Sequence, residues 1–208
     1  MNHQSNNIKM ENDYNYILFY RSDMPYDKYS CKIINDVVYA NKDDISYGFL
    51  GNFHSSQVKI KISTTQNIFP TSENAFQASK CINSNDIEKF TKCSALSAFY
   101  TGHKIAIRSD WNDVKNIIME KVIYNKFSQN EVLREKLLAT GDAYLIEHTP
   151  VKNRDKYWAD NKDGTGMNML GKCLMNVRVR LGGLPAKHKS QDKLGVLYSQ
   201  LKNHKMYK

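Results

Sequence analysis

The stretch Phe69-Pro70-Thr71-Ser72-Glu73-Asn74-Ala75-Phe76-Gln77-Ala78-Ser79-Lys80 separates a strand-forming part of this chain from a helix-forming part. Just before it, apolar residues alternate with lysines over residues 58–62, a period of two that predicts a β-strand. Within it, Thr71 or Ser72 can cap the N-terminus of a helix that we expect to end near Lys80. The predicted order is therefore strands first and helices after.

The flanking sequence supports this order. An apolar, aromatic run from Tyr14 to Tyr20 predicts a strand, and Cys31 to Ala40 predicts a hairpin that turns at Asn35-Asp36. Apolar spacing and capping residues then predict further helices. These cover about residues 86–90, 95–100, 111–122 (with Asp110 as cap), 132–138 (stopped by Gly141), 170–181 (stopped by Gly182-Gly183) and 190–202.

The chain of 208 residues is long enough for one domain, which we place at residues 14–182. Residues 1–13 are rich in asparagine and are predicted to be disordered, without the apolar core of a signal peptide. No apolar run approaches the roughly 18 residues that a membrane span needs. We therefore expect a soluble cytoplasmic protein with no membrane association.

Charge marks the C-terminal extension, residues 183–208, which we expect to be helical in part. The chain has a net charge of +9, and the extension holds six lysines against the single acid Asp192. Such an excess attracts phosphates and polyanions without specifying which. The extension is either a solvated tail or a contact for nucleic acid.

The cysteines and histidines predict no metal site. The four cysteines are widely scattered, without a Cys-x-x-Cys pair, and the six histidines show no pairing at metal-ligand spacing. We expect a protein without metal or cofactor.

Glu73 and Lys80 are the first candidates for chemistry. Glu73 lies in the first turn of the predicted helix, where the helix dipole alone can explain an acid. Lys80 follows seven residues later, on the same face and about 10 Å along the axis. The pair could serve both ends of a proton transfer, or form a surface stripe.

Two further clusters carry polar residues. Residues 157–171 form a glycine-bearing loop that runs into a helix, where free backbone N–H groups can hold phosphate. Trp158 beside acids and Asn168 suggests a pocket for a ring. In residues 137–148, Glu147 lies on a short predicted strand and points away from Ile146; it could be structural, paired with a base such as Arg108 or Lys104, or functional.

Together these segments resemble the YbiA-like or NADAR family. The matching pieces occur in family order over about residues 17–181. They are Gly51-Asn52-Phe53; the P-T-S-E-x-x-F-Q-A-x-K helix at residues 70–80; Arg108-Ser109-Asp110-Trp111; Lys126-Phe127 with Gln129-Asn130; L-L-A-T-G-D with L-I-E at residues 137–147; and Y-W-x-D-x-x-D-G-x-G-x-N-x-L-G-x-x-L-M-x-V-R-x-x-L at residues 157–181. The chain departs from the family where Gly51 replaces a serine, where His103 replaces an arginine, in a longer segment from Asp23 to Tyr47, and in its extension.

The resemblance implies a mainly helical α+β domain with a small N-terminal β portion and N-glycosidase activity on a ribosylated amine. It implies that Glu73 and Lys80 are catalytic. Lys80 would either form a Schiff base, or bind a phosphate or pair with Glu73 while water attacks directly. It also implies substrate contacts from a larger set of residues. These are Asn52, Phe53, Arg108, Trp111, Asp142, Glu147, Trp158, Asp163, Gly164 and Asn168.

Three functions remain open. The leading one is removal of ADP-ribose from guanine in DNA, which would pair the enzyme with an ADP-ribosyltransferase toxin system; the lysine-rich extension favours it. The second is hydrolysis of ribosylaminopyrimidine phosphates, nucleotide-like intermediates of riboflavin synthesis. The third is a non-catalytic module that binds ADP-ribose or a nucleotide, although such a module has no need of an acid at Glu73.

Overall fold

A computed structural model of the chain describes residues 15–21, 31–34, 37–40 and 47–187. The predicted disordered segment, most of the longer segment after Asp23 and the predicted helix at residues 190–202 lie outside these ranges. The predicted α+β fold is confirmed, with helices in the majority and the strands concentrated in the first third of the chain.

A four-stranded sheet forms one side of the domain. Its strands are β1 (Asn15–Phe19), β2 (Cys31–Ile34), β3 (Val37–Ala40) and, much later in the chain, β6 (Tyr144–Glu147). The order is β3-β2-β1-β6, with β1 antiparallel to β2 and parallel to β6. The parallel pairing sets Phe19 opposite Glu147, so the polar end of β6 lies beside the end of the first strand.

A separate hairpin leads into the first helix. It consists of β4 (Ser55–Ile62) and β5 (Thr65–Thr71), which pair antiparallel. Val58 and Ile60 are buried while Lys59 and Lys61 are exposed, as the alternation predicts.

Six α-helices follow within the described residues. They are α1 (Ser72–Ala78), α2 (Ser84–Ile87), α3 (Ala95–Gly102), α4 (Trp111–Ser128), α5 (Glu131–Leu138) and α6 (Met169–Arg180). Helices α4 and α5 cover their predicted ranges, and α6 ends one residue before the predicted end at Leu181. Helix α1 ends two residues earlier than predicted, and α2 continues as a short 3-10 turn over Glu88–Phe90.

Helix capping was predicted with mixed success. Thr71 caps α1 as predicted, since its Oγ1 accepts a hydrogen bond from the Asn74 N–H at 3.2 Å. Asp110 is the N-cap residue of α4, as predicted, but its carboxylate binds Arg108 and makes no capping hydrogen bond. Gly182 follows α6 with φ of +95°, a conformation that favours glycine.

Two hydrophobic clusters meet at α1. The larger packs the four-stranded sheet against α4, α5 and α6, and the smaller packs the hairpin against α1, α2 and α3. Phe76 belongs to the first cluster, whereas Ala75 and Ala78 belong to the second. All seven residues of α1 are buried, so this helix holds its polar side chains rigidly between the two halves of the domain.

Among the described residues, none of the helices combines the length and the apolar character that crossing a membrane would require.

Candidate active site

A cavity of about 310 Å³ opens between α1, α3, the end of β6 and the loop before Trp158. Six of the residues predicted to form the site line it together. They are Asn52, Phe53, Glu73, Lys80, Glu147 and Trp158. These residues come from four separate parts of the chain, which the fold brings to one place.

Glu73 lies at the N-terminus of α1 and is 5% exposed. Its backbone N–H donates to the Asn52 carbonyl at 3.0 Å, and its Oε1 accepts a hydrogen bond from Gln77 Nε2 at 2.6 Å. Burial raises the pKa of Glu73 to about 7, although the Gln77 hydrogen bond and the charges of Lys80 and Arg21 act to lower it. Near neutral pH this carboxyl can therefore hold or release a proton.

Lys80 lies in the turn after α1 and is half-buried. Its Nζ lies 5.8 Å from the centre of the Phe76 ring and 5.5 Å from that of Trp111. Burial lowers the pKa of the Lys80 amine, and the charge of Glu73 opposes that shift. A lysine on an aromatic wall with a lowered pKa is a candidate nucleophile as well as a candidate cation.

Glu147 ends β6 and points into the same cavity. Its Oε2 is shielded from solvent and has no hydrogen-bond partner among the described residues. Burial raises its pKa well above the ordinary value, and the charges of Asp155, Glu73 and Asp160 add to the rise. The interpretation that Glu147 pairs with Arg108 or Lys104 is wrong, because Arg108 pairs with Asp110 and the charges that act on Glu147 are acids.

Asn52 and Phe53 are held in place by a buried lysine. Lys126, 1% exposed, donates from Nζ to the Phe49 carbonyl at 2.6 Å and to the Gly51 carbonyl at 2.9 Å. Burial lowers the pKa of Lys126 to about 7. By fixing the turn just before Asn52, this lysine also fixes the carbonyl that accepts the Glu73 N–H.

The inner wall of the cavity is aromatic. Trp158 meets Phe76 edge to face, with ring centres 5.2 Å apart, and its backbone N–H donates to Asp155 Oδ1 at 2.8 Å. Trp111 packs behind Phe76 at 5.0 Å and is nearly buried. Trp158 therefore faces the cavity, whereas Trp111 supports the wall.

The other predicted substrate-binding residues do not line the cavity. Asn168, fully buried with φ of +50°, accepts the Glu147 N–H at 3.0 Å and donates to the Leu145 carbonyl at 2.9 Å. It therefore orients β6 from behind. Asp163 pairs with Lys152 at 3.0 Å, next to Gly164 in a turn. Three more predicted residues are absent from the cavity lining: Arg108, which pairs with Asp110; Trp111; and Asp142, whose carbonyl accepts the Lys187 N–H. For all these residues substrate contact stays a prediction.

Several cavity residues were missed by the sequence analysis. Arg21 lies 4.2 Å from the centre of the Phe53 ring, and Arg154 lies just before Asp155 on the wall. Phe99 and Tyr100 form an exposed aromatic rim on α3, beside His103. No local pattern marks these residues, although Arg154 and Asp155 lie only two or three residues before Tyr157 of the predicted cluster.

Within residues 15–21, 31–34, 37–40 and 47–187, no three histidine, cysteine, aspartate or glutamate side chains are grouped so that they could hold a metal ion.

The fold and the cavity define an α+β domain whose site combines buried carboxyls, a half-buried lysine and aromatic walls. Residues 38–182 match the family model described as the NADAR domain. The chain belongs to the NADAR domain family, which confirms the resemblance inferred from the sequence motifs.

Named relatives are similar over about 70% of the chain. The chain is 37% identical over 146 residues to N-glycosidase YbiA of Escherichia coli, across 69% of this chain and 86% of the relative. It is 34% identical over 152 residues to a riboflavin biosynthesis protein of Vibrio vulnificus, across 72% of this chain but only 40% of that longer protein. The NMR structure of E. coli YbiA superposes with a TM-score of 0.57 at 36% identity, covering 69% of this chain and 82% of that one.

Proposed function

We propose that this protein is an N-glycosidase that hydrolyses the bond between ribose C1 and an exocyclic amine nitrogen. The observation that carries the proposal is one aromatic cavity that holds the buried carboxyl of Glu73, the carboxyl of Glu147 with its shielded Oε2, and the half-buried amine of Lys80. The names of relatives such as N-glycosidase YbiA support the reaction class.

The chemistry needs a negative group close to the anomeric carbon. Cleavage of the C1–N bond passes through an oxocarbenium-like state, which a carboxylate stabilises while it activates water. Glu73 suits this role because it is fixed by Gln77 and by the Asn52 carbonyl. In a second route, the amine lone pair opens the ribose ring and Lys80 attacks the resulting imine.

For the substrate we propose ADP-ribose attached to guanine in DNA. Cations line the cavity where a pyrophosphate would need them, and aromatic side chains occur both on the inner wall and on the exposed rim, which suits a substrate with two bases. The cations are Arg21, Lys80 and Arg154. The net charge of +9 adds a general attraction to nucleic acid. An ADP-ribosyltransferase must supply such a substrate.

A second candidate substrate is a ribosylaminopyrimidine phosphate. It has the same linkage between ribose and an exocyclic amine, and the name of the Vibrio vulnificus relative refers to riboflavin biosynthesis. A non-catalytic binding module is less consistent with the site, since two buried acids cost stability and a binder of anions gains nothing from them.

One experiment separates these candidates. The purified chain is incubated with a guanine-ADP-ribosylated oligodeoxynucleotide and, separately, with a ribosylaminopyrimidine phosphate, and the released sugar is measured. We expect release from the oligonucleotide, and a loss of at least about 100-fold in kcat for Glu73→Gln, the scale typical of a positioned catalytic group.

Faster release from the pyrimidine phosphate would replace the first substrate with the second. Release from neither substrate, together with tight binding of ADP-ribose, would favour a binding module. A Glu73→Gln variant with near-wild-type turnover would remove Glu73 from the mechanism.

A further inference from the structure

We propose that Glu147 is the general acid of this site, the carboxyl that protonates the departing amine nitrogen while Glu73 acts as the carboxylate. The inference rests on the proposed function, because it assigns a second catalytic group to the same reaction. Sequence motifs and the names of relatives point to no such role for Glu147.

The backbone of Glu147 is fixed on both sides. Its N–H donates to Asn168 Oδ1 at 3.0 Å, and its carbonyl accepts the Asp160 N–H at 2.9 Å. The strand that carries it pairs with β1, so that Glu147 lies opposite Phe19. A side chain on such a rigid support reaches the cavity in a defined direction, as a group that delivers a proton to one atom must.

The surroundings of the Glu147 carboxyl favour its protonated form. Its Oε2 is shielded from solvent and lacks a hydrogen-bond donor within the described part of the chain, and an unpaired buried carboxylate is costly. The neighbours that act on it are the acids Asp155, Glu73 and Asp160. Other titratable or charged groups also line the cavity: Lys80, Arg21, His103, His148 and Arg154.

Glu73 is the more buried of the two residues, and burial and the charge of Asp155 raise its pKa as well, but it has partners that the Glu147 Oε2 lacks. It accepts the Gln77 amide at 2.6 Å and is attracted by the charges of Lys80 and Arg21, all of which favour its ionised form. As the pH rises, Glu73 therefore loses its proton before Glu147 does. Two carboxyls whose environments separate their pKa values in this way form an acid and base pair.

The two carboxyls complete a balanced hydrolysis. The Glu147 proton moves to the amine nitrogen as the C1–N bond breaks, and the bonding electrons stay on that nitrogen. The ring oxygen shares a lone pair with C1, a water oxygen then bonds to C1, and Glu73 accepts the proton that the water loses. Glu147 ends as carboxylate and Glu73 as acid, and exchange with solvent restores both.

The test uses Glu147→Gln in the full chain, with Glu120→Gln as a matched control. Glu120 is a partly buried residue of α4, away from this cavity, and it pairs with Arg180 at 3.0 Å. We expect Glu147→Gln to lower kcat at least about 100-fold with little change in KM. The fall in activity at alkaline pH should also disappear, since it reports the loss of the Glu147 proton in the wild type. Glu120→Gln should leave kcat and the pH profile unchanged.

A second measurement does not depend on activity. Carbon-13 labelling of the glutamate carboxyls, with Glu147→Gln for assignment, follows the titration of each acid by NMR. We expect the Glu147 signal to titrate at higher pH than that of Glu73.

The outcomes distinguish the two claims. A Glu147→Gln variant that keeps its kcat, changes only KM or retains the alkaline limb overturns the general acid role, as does a Glu147 signal that titrates below that of Glu73. A wild-type chain that cleaves neither substrate, but in which Glu147 titrates last, rejects the proposed function while leaving the arrangement of the acids intact.

Discussion

At the scale of single residues, the burial of the Glu73 carboxyl in the cavity lowers the stability of the folded chain at neutral pH. Glu73 is buried, and its folded pKa of about 7 lies above the ordinary value of 4.5. Between these two values the folded chain holds a proton that the unfolded chain has released, so the free energy of unfolding falls as the pH rises. An acid with this effect at the N-terminus of a central helix is more consistent with chemistry than with helix stabilisation.

This cost can be measured in Glu73→Gln. Relative to the wild type, the variant should become more stable by about 2.5 kcal/mol when the pH is raised from 5 to 8, because glutamine has no proton to retain. Urea unfolding of both proteins at the two pH values measures the change. Glu120→Gln serves as the control, and a Glu73→Gln effect that is the same at both pH values would contradict the raised pKa.

The role of Lys80 distinguishes direct attack by water from a route through a Schiff base. Burial lowers the pKa of its amine, which favours the neutral form that a nucleophile needs, and it lines the same cavity as Glu73. We predict that borohydride reduction during turnover links the sugar to Lys80, as peptide mass mapping would reveal. If the active enzyme gives no adduct and Lys80→Ala keeps substantial turnover, water attacks directly and the Schiff base is excluded.

At the scale of elements, the close approach of α3 to α1 determines how Glu73 is held. Gly102, the last residue of α3, lies against the Gln77 side chain, and a Cβ at residue 102 would overlap Gln77 Oε1 and come within 2.7 Å of its Cδ. Gln77 is the side chain that donates to Glu73. The glycine therefore leaves room for the amide that stabilises the Glu73 carboxylate.

We predict that Gly102→Ala displaces Gln77 and impairs activity more than folding, because a flexible side chain can move aside. Without the Gln77 hydrogen bond the pKa of Glu73 rises further, so the acidic limb of the pH profile of kcat/KM should shift to higher pH. Ser97→Ala, an exposed change on the same helix, is the control for general effects on α3. An unshifted acidic limb in Gly102→Ala would show that Gln77 does not tune Glu73.

At the scale of the whole molecule, the start of the predicted C-terminal extension contacts the domain. The buried guanidinium of Arg178 donates from Nε to the Leu184 carbonyl at 2.9 Å, and the Lys187 N–H donates to the Asp142 carbonyl at 3.1 Å. A deletion from Gly183 onward would therefore remove contacts of the domain as well as charge. Residues 188–208, with five lysines and one aspartate, are the better segment to remove.

Deletion of residues 188–208 should leave the domain folded and weaken its binding to DNA. Each phosphate contact that is lost should reduce the slope of log K against log salt by about 0.9 on duplex DNA. Binding of a fluorescent oligonucleotide at several salt concentrations measures both quantities, and circular dichroism checks the fold. An unchanged affinity and slope would identify the extension as a solvated tail.

Much of this architecture could be predicted from sequence because it depends on local patterns. The alternation over residues 58–62 predicted a strand, Thr71 predicted the start of a helix, and the apolar spacing over 170–181 predicted a long helix. Each of these patterns depends on residues that lie close together in the chain. The ordered motifs also identified the family and singled out Glu73, Lys80, Glu147 and Trp158, all of which line the cavity.

Only the tertiary structure decided what surrounds each of these side chains. Pairing with a base was one of the interpretations for Glu147, but the charges that act on it come from acids. Asn168 was predicted to contact substrate, but it binds the backbone of β6. Arg21 and Arg154, which were not predicted, line the cavity. Desolvation and unpaired charge depend on groups that are distant in the chain, so no local pattern records them. The sequence by itself thus determined the elements, the family and the reactive residue types, whereas packing determined which acid is shielded, which is stabilised, and how the two differ in holding a proton.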